Sequence, residues 1–162
     1  MRFIDNHDVY RFLRKGEPES VLRMAFAFML FSLGIPLVYY GSEQAFRQTH
    51  DRLEPEGPSM PADPANREDM FPEGKFKSES SAGDKFDESS PTFRWLSRLA
   101  ALRKAHPALR RGEQWVRWND PSGPGIYAFS RILDGEEVVV ALNTADSPRE
   151  ALLWVDRGVS PP

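Results

Sequence analysis

Asn6, His7 and Asp8 follow one another directly after the β-prone run Phe3-Ile4, and this is the first chemistry the chain offers. An apolar stretch running into Asn-His-Asp reads as a short buried strand with hydrogen-bonding groups at its C-terminal end. A parallel α/β barrel places its reactive groups there, because the loops after the strands converge on one rim. Read as a bare polar turn, Asn6 and Asp8 would instead cap backbone groups. Asn6 can orient His7 or fix the turn, and fixing the turn is the preferred role. Arg11, three residues beyond Asp8, can pair with a carboxylate of the site or form a solvated ion pair. A second grouping, Asp63-Pro64-Ala65-Asn66-Arg67, offers a carboxylate and a guanidinium in one loop, or an Asp-Pro turn closed by an internal salt bridge.

The elements that must hold these residues follow from pattern. Residues 2–8 read as the first strand, and 11–16 as a polar connection. Pro18 and the acidic Glu17 and Glu19 suit a helix start, since proline fits the first turn and carboxylates the positive end of the dipole. Val21 to Leu33 is apolar on nearly every face and so reads as a buried helix, stopped by Gly34. Gly34 to Glu43 is a second strand ending in Gly and a carboxylate. Strand, helix, strand is one unit of a barrel or of a doubly wound sheet. Met24 to Tyr40 is apolar enough to raise a membrane span, but Gly34 and Pro36 interrupt it, and helix then strand fits better.

Residues 42–90 form a long polar segment, and loops of that length in compact domains are usually functional or disordered. A helix over 90–105 carries Phe93, Leu96, Leu99 and Leu102 at helical spacing and ends at His106-Pro107. Strands follow at 114–118, 126–133, 136–143 and 151–155, with Asp134-Gly135 marking a hairpin turn. His50 and His106 have no convergent partner in sequence, and Trp95, Trp115, Trp118 and Trp154 read as core.

Composition sets wide bounds. Lys and Arg (21) nearly balance Asp and Glu (24), so neither nucleic acid nor an acidic disordered tail is indicated. There is no cysteine, which excludes disulfides and thiolate metal sites. Met1 runs straight into a strand, so no signal peptide is read and localisation stays open.

Three motifs carry a resemblance. F-I-D-N-H-D-x-x-R-F at 3–12 and G-I-P-x-V-Y-Y-G-x-E at 34–43, with one helix between, resemble the last two barrel strands of the α-amylase family of glycoside hydrolases. L-x-x-L-R-x-x-H-P-A-L-x-x-G at 99–112 resembles the helix that closes that barrel. The resemblance implies an α/β fold: the C-terminal part of a (β/α)8 barrel over 1–111, then an antiparallel β-sandwich begun over 112–162. It also implies roles. Retaining glycosidases use two carboxyl groups around the scissile bond, one nucleophile and one acid/base. In this family a third carboxylate, here Asp8, stabilises the transition state by holding sugar hydroxyls, and His7 bonds the same sugar. Asp63 and Arg67 would hold an outer glucose, a carboxylate accepting and a guanidinium donating paired hydrogen bonds to neighbouring hydroxyls. Asn6 and Arg11 would join the substrate-binding set, while Glu43 takes no catalytic step.

The family's nucleophile and acid/base motifs find no match here. The chain is therefore expected to be a C-terminal portion of an enzyme acting on an α-glucan or maltooligosaccharide, inactive alone and needing the rest of the barrel to fold. Alternatives are a maltose- or sucrose-active relative, such as a trehalose synthase or α-glucosidase, and a non-catalytic barrel remnant that only binds or scaffolds. No metal ligand set and no cofactor are expected in the chain, although a calcium ion is possible in a full-length parent. Neither a membrane nor a nucleic-acid partner is expected.

Overall fold

The computed structural model describes residues 1–47, 67–71, 73 and 85–156. They fall into two compact units, Met1–Met29 with Pro36–Arg98 and Leu30–Ile35 with Leu99–Pro162. His50, Asp63 and most of the expected 42–90 loop lie outside the described residues.

In the first unit, α1 (Glu19–Phe31) forms from a run rich in Leu, Met, Ala and Phe, with acidic Glu19 in its first turn. Leu22, Phe26 and Met29 recur at helical spacing and are at most 2% exposed, so one stripe of the helix is core. Burying each such side chain stabilises by about 1.5–3 kcal/mol. The helix α2 (Pro91–Ala105) starts with Pro91, and Ser90 Oγ accepts the Phe93 amide at 3.2 Å as an N-cap. Its first turns are tied to α1: Thr92 Oγ1 donates to Glu19 at 2.7 Å, and Trp95 Nε1 donates to the Arg23 carbonyl at 2.8 Å.

The two strands expected at 2–8 and 34–43 are not strands here. They meet in a single parallel bridge, Arg2 to Pro36, with the Leu37 amide donating to the Arg2 carbonyl at 2.8 Å. Parallel strands are stable when neighbours supply ladders on both sides and helices cover both faces. Neither condition is met by these residues, and Phe3, Leu37, Val38 and Tyr40 are correspondingly exposed rather than buried.

The second unit is built on a three-stranded antiparallel sheet, β1 (Glu113–Asn119), β2 (Ile126–Leu133) and β3 (Glu136–Asn143), in the order β1-β2-β3. Asp134 and Gly135 both take positive φ, 48° and 87°, which is the twist a two-residue hairpin between β2 and β3 requires. A register shift between Val116 and Trp118 bends β1. One face of the sheet packs Phe129 and Val140 against Leu109 of the short helix α3 (Pro107–Arg111), flanked by Tyr127, Val138, Leu142 and Phe31. On the other face Arg117 Nε donates to Ser130 Oγ and its NH2 to Glu137, both at 2.7 Å. Two arginines satisfy orphan carbonyls in this unit. Arg131 is fully buried and donates to Phe31, Leu109 and Gly112 at 2.7–3.0 Å, and Arg103 donates to Leu30, Gly34 and Leu109.

Three further expectations are corrected. The fourth strand at 151–155 forms no ladder, and just past it the Asp156 amide goes to a side-chain acceptor, the Glu137 carboxylate, at 2.8 Å. Trp115, Trp118 and Trp154 are not core but 55%, 38% and 70% exposed, because the face packed on α3 is supplied by β2 and β3. His106 does have a partner: its Nδ1 lies 2.7 Å from Glu136, whose other oxygen accepts the Ala108 amide at 3.1 Å and caps the first turn of α3. No helix among the described residues is long and apolar enough to cross a membrane.

Two predictions follow from these contacts. Gly16 and Gly41 share φ +83°, but a Cβ at Gly16 meets open space while one at Gly41 would sit 2.3 Å from the buried Phe46 ring. Gly16→Ala should therefore cost about 1–2 kcal/mol of left-handed strain, and Gly41→Ala a further ~1–3 kcal/mol of overpacking, read from urea unfolding midpoints of the longest polypeptide the gene encodes. The His106 hydrogen bond, chiefly, holds the Glu136 carboxyl below its ordinary 4.5. Its stabilising contribution is then present above pH 4.5 and fades as pH falls through the lowered value. Glu136→Gln, in the longest polypeptide the gene encodes, should unfold at lower urea than the parent at pH 7, and the gap should narrow as pH falls below 4.5.

Candidate active site

The site grows from a turn that fixes itself. Asn6 Oδ1 accepts the amides of Asp8 at 2.7 Å and Val9 at 3.0 Å, so the side chain substitutes for a backbone carbonyl and closes the corner. The Asn6 carbonyl oxygen thereby fixes the turn, the role preferred for it from sequence. His7 and Asp8 are carried at the apex with about half of each side chain in solvent, and His7 Nε2 lies 3.1 Å from Asp8 Oδ2. Arg67, distant in sequence, brings its NH2 to 3.9 Å from the other Asp8 oxygen. The three groups form one exposed cluster of carboxylate, imidazole and guanidinium. Asp63 lies outside the described residues.

Beneath the turn is a buried polar layer. Asp5 is 1% exposed and accepts the Phe12 amide at 3.2 Å and the Ser42 hydroxyl at 2.9 Å. Burial pushes its carboxyl above the usual range, against the pull of the Phe12 amide, the Ser42 hydroxyl and the Arg11 charge. Ser42 is set there by the left-handed Gly41, which opens a single 3-10 turn closed by the Phe46 amide on the Gly41 carbonyl at 2.9 Å.

Arg11 is fully buried and lies in this layer, not at the exposed cluster. Its NH1 donates to the Tyr40 carbonyl at 2.6 Å and to Ser42 Oγ at 3.3 Å, and its guanidinium carbon sits 4.4 Å from the Tyr39 ring centre and 5.2 Å from that of Phe46. Its Nε faces Glu68 Oε1 at 3.4 Å, and Glu68 is 1% exposed. Lys85, 8% exposed, holds its Nζ 5.3 Å from the Phe46 ring centre. Burial depresses the Lys85 ammonium while the Glu68 charge pulls it back up. Burial likewise raises the Tyr39 hydroxyl and the Glu43 carboxyl.

Sequence reasoning missed Ser42 and Glu68. Ser42 stood as the unassigned position between Gly41 and Glu43, where a left-handed glycine before a hydroxyl was the available signal. Glu68 gave no local signal, since its partner Arg11 is remote in sequence.

Chemically, the cluster accepts through Asp8, donates through Arg67 and can do either through His7, which fits a polyhydroxylated ligand. Asp8 cannot perform a two-carboxylate reaction alone, and Asp5 is committed to buried donors. Among the described residues no group of three His, Asp or Glu side chains converges as a metal site would need.

No protein-family model matches the chain. It is 34% identical over 151 residues to the β/α-amylase of Paenibacillus polymyxa, covering 88% of this chain and 10% of that protein. It is 37% identical over 161 residues to the α-amylase of Streptomyces lividans, covering 92% and 17%. The crystal structure of CldA, a cyclomaltodextrin glucanotransferase with a three-domain ABC distribution, aligns with a TM-score of 0.62 at 31% identity, over 87% of this chain and 24% of that one. The chain thus spans only 10–17% of the length of these two curated relatives.

Proposed function

We propose, on the premise that this chain is homologous to the α-amylase family of glycoside hydrolases along most of its length, that it is the transition-state-stabilising segment of a retaining α-glucan hydrolase or transglycosylase. Residues 1–111 would form the last two strands and helices of a (β/α)8 barrel, with a long loop at 42–90, and 112–162 the start of a β-sandwich. Asp8 would accept hydrogen bonds from hydroxyls of the sugar at the cleavage subsite. Bonds that strengthen as the ring flattens toward an oxocarbenium-like state lower the barrier, because they favour the transition state over bound substrate. His7 would bond the same sugar, and Arg67, with Asp63, an outer glucose of an α-1,4-linked chain. The nucleophile and acid/base would come from polypeptide other than this chain, which alone would be inactive and would need the rest of the barrel to fold.

The observation that carries the reading is the meeting of His7, Asp8 and Arg67, the last from a segment remote in sequence, around one exposed carboxylate. Arg11, buried below, supports the site without touching substrate in this reading.

Two measurements test it. The isolated 162-residue chain should release no reducing sugar from soluble starch. In the longest polypeptide its gene encodes, Asp8→Asn should lower kcat on maltoheptaose by about 10²–10³-fold, the scale for removing one preorganised transition-state partner. Unchanged turnover in that variant would sink the assignment.

A further inference from the structure

We infer that the buried Arg11–Glu68 pair is a positioning device that sets Arg67 beside Asp8, and so governs affinity for the outer sugar. The inference rests on the reading of Arg67 as a sugar-binding residue. Glu68 and Arg67 are consecutive, yet Glu68 is 1% exposed and Arg67 keeps 45% of its side chain in solvent. The inward residue therefore anchors the outward one.

The anchor point is unusually well defined. Arg11 is held by the Tyr40 carbonyl, by Ser42 and by the faces of Tyr39, Tyr40 and Phe46, so its guanidinium has little freedom. Its Nε, 3.4 Å from Glu68, then fixes where the segment 67–71 enters the unit. The tilted Phe71–Phe86 contact, 5.3 Å between ring centres, braces the same segment. As a source of stability the pair is a poor choice, because desolvating two charges costs about what their attraction returns. What a buried ion pair on a clamped arginine does supply is geometry. Asp8 is fixed independently by the Asn6 turn, so the Arg67–Asp8 spacing follows where Glu68 is held.

The test is a double-mutant cycle on the longest polypeptide the gene encodes, with KM and kcat for maltoheptaose and a circular-dichroism melt for every variant. Arg67→Ala should raise KM about tenfold, the scale of one charge-assisted hydrogen bond. Glu68→Gln should raise KM several-fold while kcat changes less than about twofold, and the double variant should be no worse than Arg67→Ala. Glu68→Asp, which keeps the charge, should recover most of the KM. If Glu68→Gln unfolds, Arg11→Lys, which keeps charge but loses the fork, goes through the same cycle. An unchanged KM in Glu68→Gln, or KM effects that multiply with those of Arg67→Ala, would overturn the positioning role. Separately, an unchanged KM in Arg67→Ala, or a parent protein with no turnover, would overturn the reading beneath it.

Discussion

A guanidinium with no access to water constrains the whole first unit. Arg11 has five N–H donors and a permanent charge, and leaving them unmet in the interior would cost several kcal/mol. The chain answers that charge by folding two separate stretches around it, with NH1 donating hydrogen bonds and Nε facing a carboxylate. The Tyr40 carbonyl and Ser42 come from one side, the aromatic faces of Tyr39 and Phe46 close over it, and Glu68 supplies the counter-charge. Ser42 also donates its own hydrogen bond to Asp5, so arginine, hydroxyl and carboxylate form one hydrogen-bonded chain under the Asn-His-Asp turn. The segment that carries Arg11 and the one that carries Ser42 share only a single parallel bridge, Arg2 to Pro36, and this side-chain network adds further ties between them.

The second unit uses arginine to a different end. Arg103 and Arg131 both donate to the Leu109 carbonyl, and each reaches a carbonyl at the end of α1, Leu30 for one and Phe31 for the other. The last carbonyls of a helix have no partner within it, and a cation there also meets the negative end of the dipole. Long side chains with several donors can satisfy carbonyls on separate elements at once, which suits a unit whose helices are short or end abruptly. Arg103 sits in the motif at 99–112, whose family resemblance is thus matched by a physical job.

Local signals were legible and remote ones were not. The sheet was readable almost to the residue, because period-2 alternation and the Asp134-Gly135 turn are properties of adjacent positions. Both long helices were readable from caps and apolar spacing, with Pro18 and Ser90-Pro91 marking their starts. His7 and Asp8 were legible as a pair, and Asn6 as a turn-former, since an Asx corner is encoded within three residues. The two expected barrel strands meet here in a single bridge, because strand character depends on neighbours that pattern cannot guarantee. The tryptophans were misjudged for a related reason: which face of a sheet is covered depends on what packs there, not on the size of the residue. Glu68 was invisible because nothing near it in sequence predicts a buried arginine as its partner.

The contrast between the two layers of the site explains how it can be both fixed and available. The lower layer is dry, and its bonds are of the kind whose loss leaves a buried charge or donor unmet, so it resists rearrangement. The upper layer is wet. An exposed ion pair such as Arg67–Asp8, at 3.9 Å and about half in solvent, is worth well under about 1 kcal/mol. Such a contact orients two groups without committing them, and ligand hydroxyls could replace it at little cost. A rigid foundation under weakly engaged polar groups is what the recognition proposed above requires, since the protein's own contacts must yield to a ligand while its geometry does not.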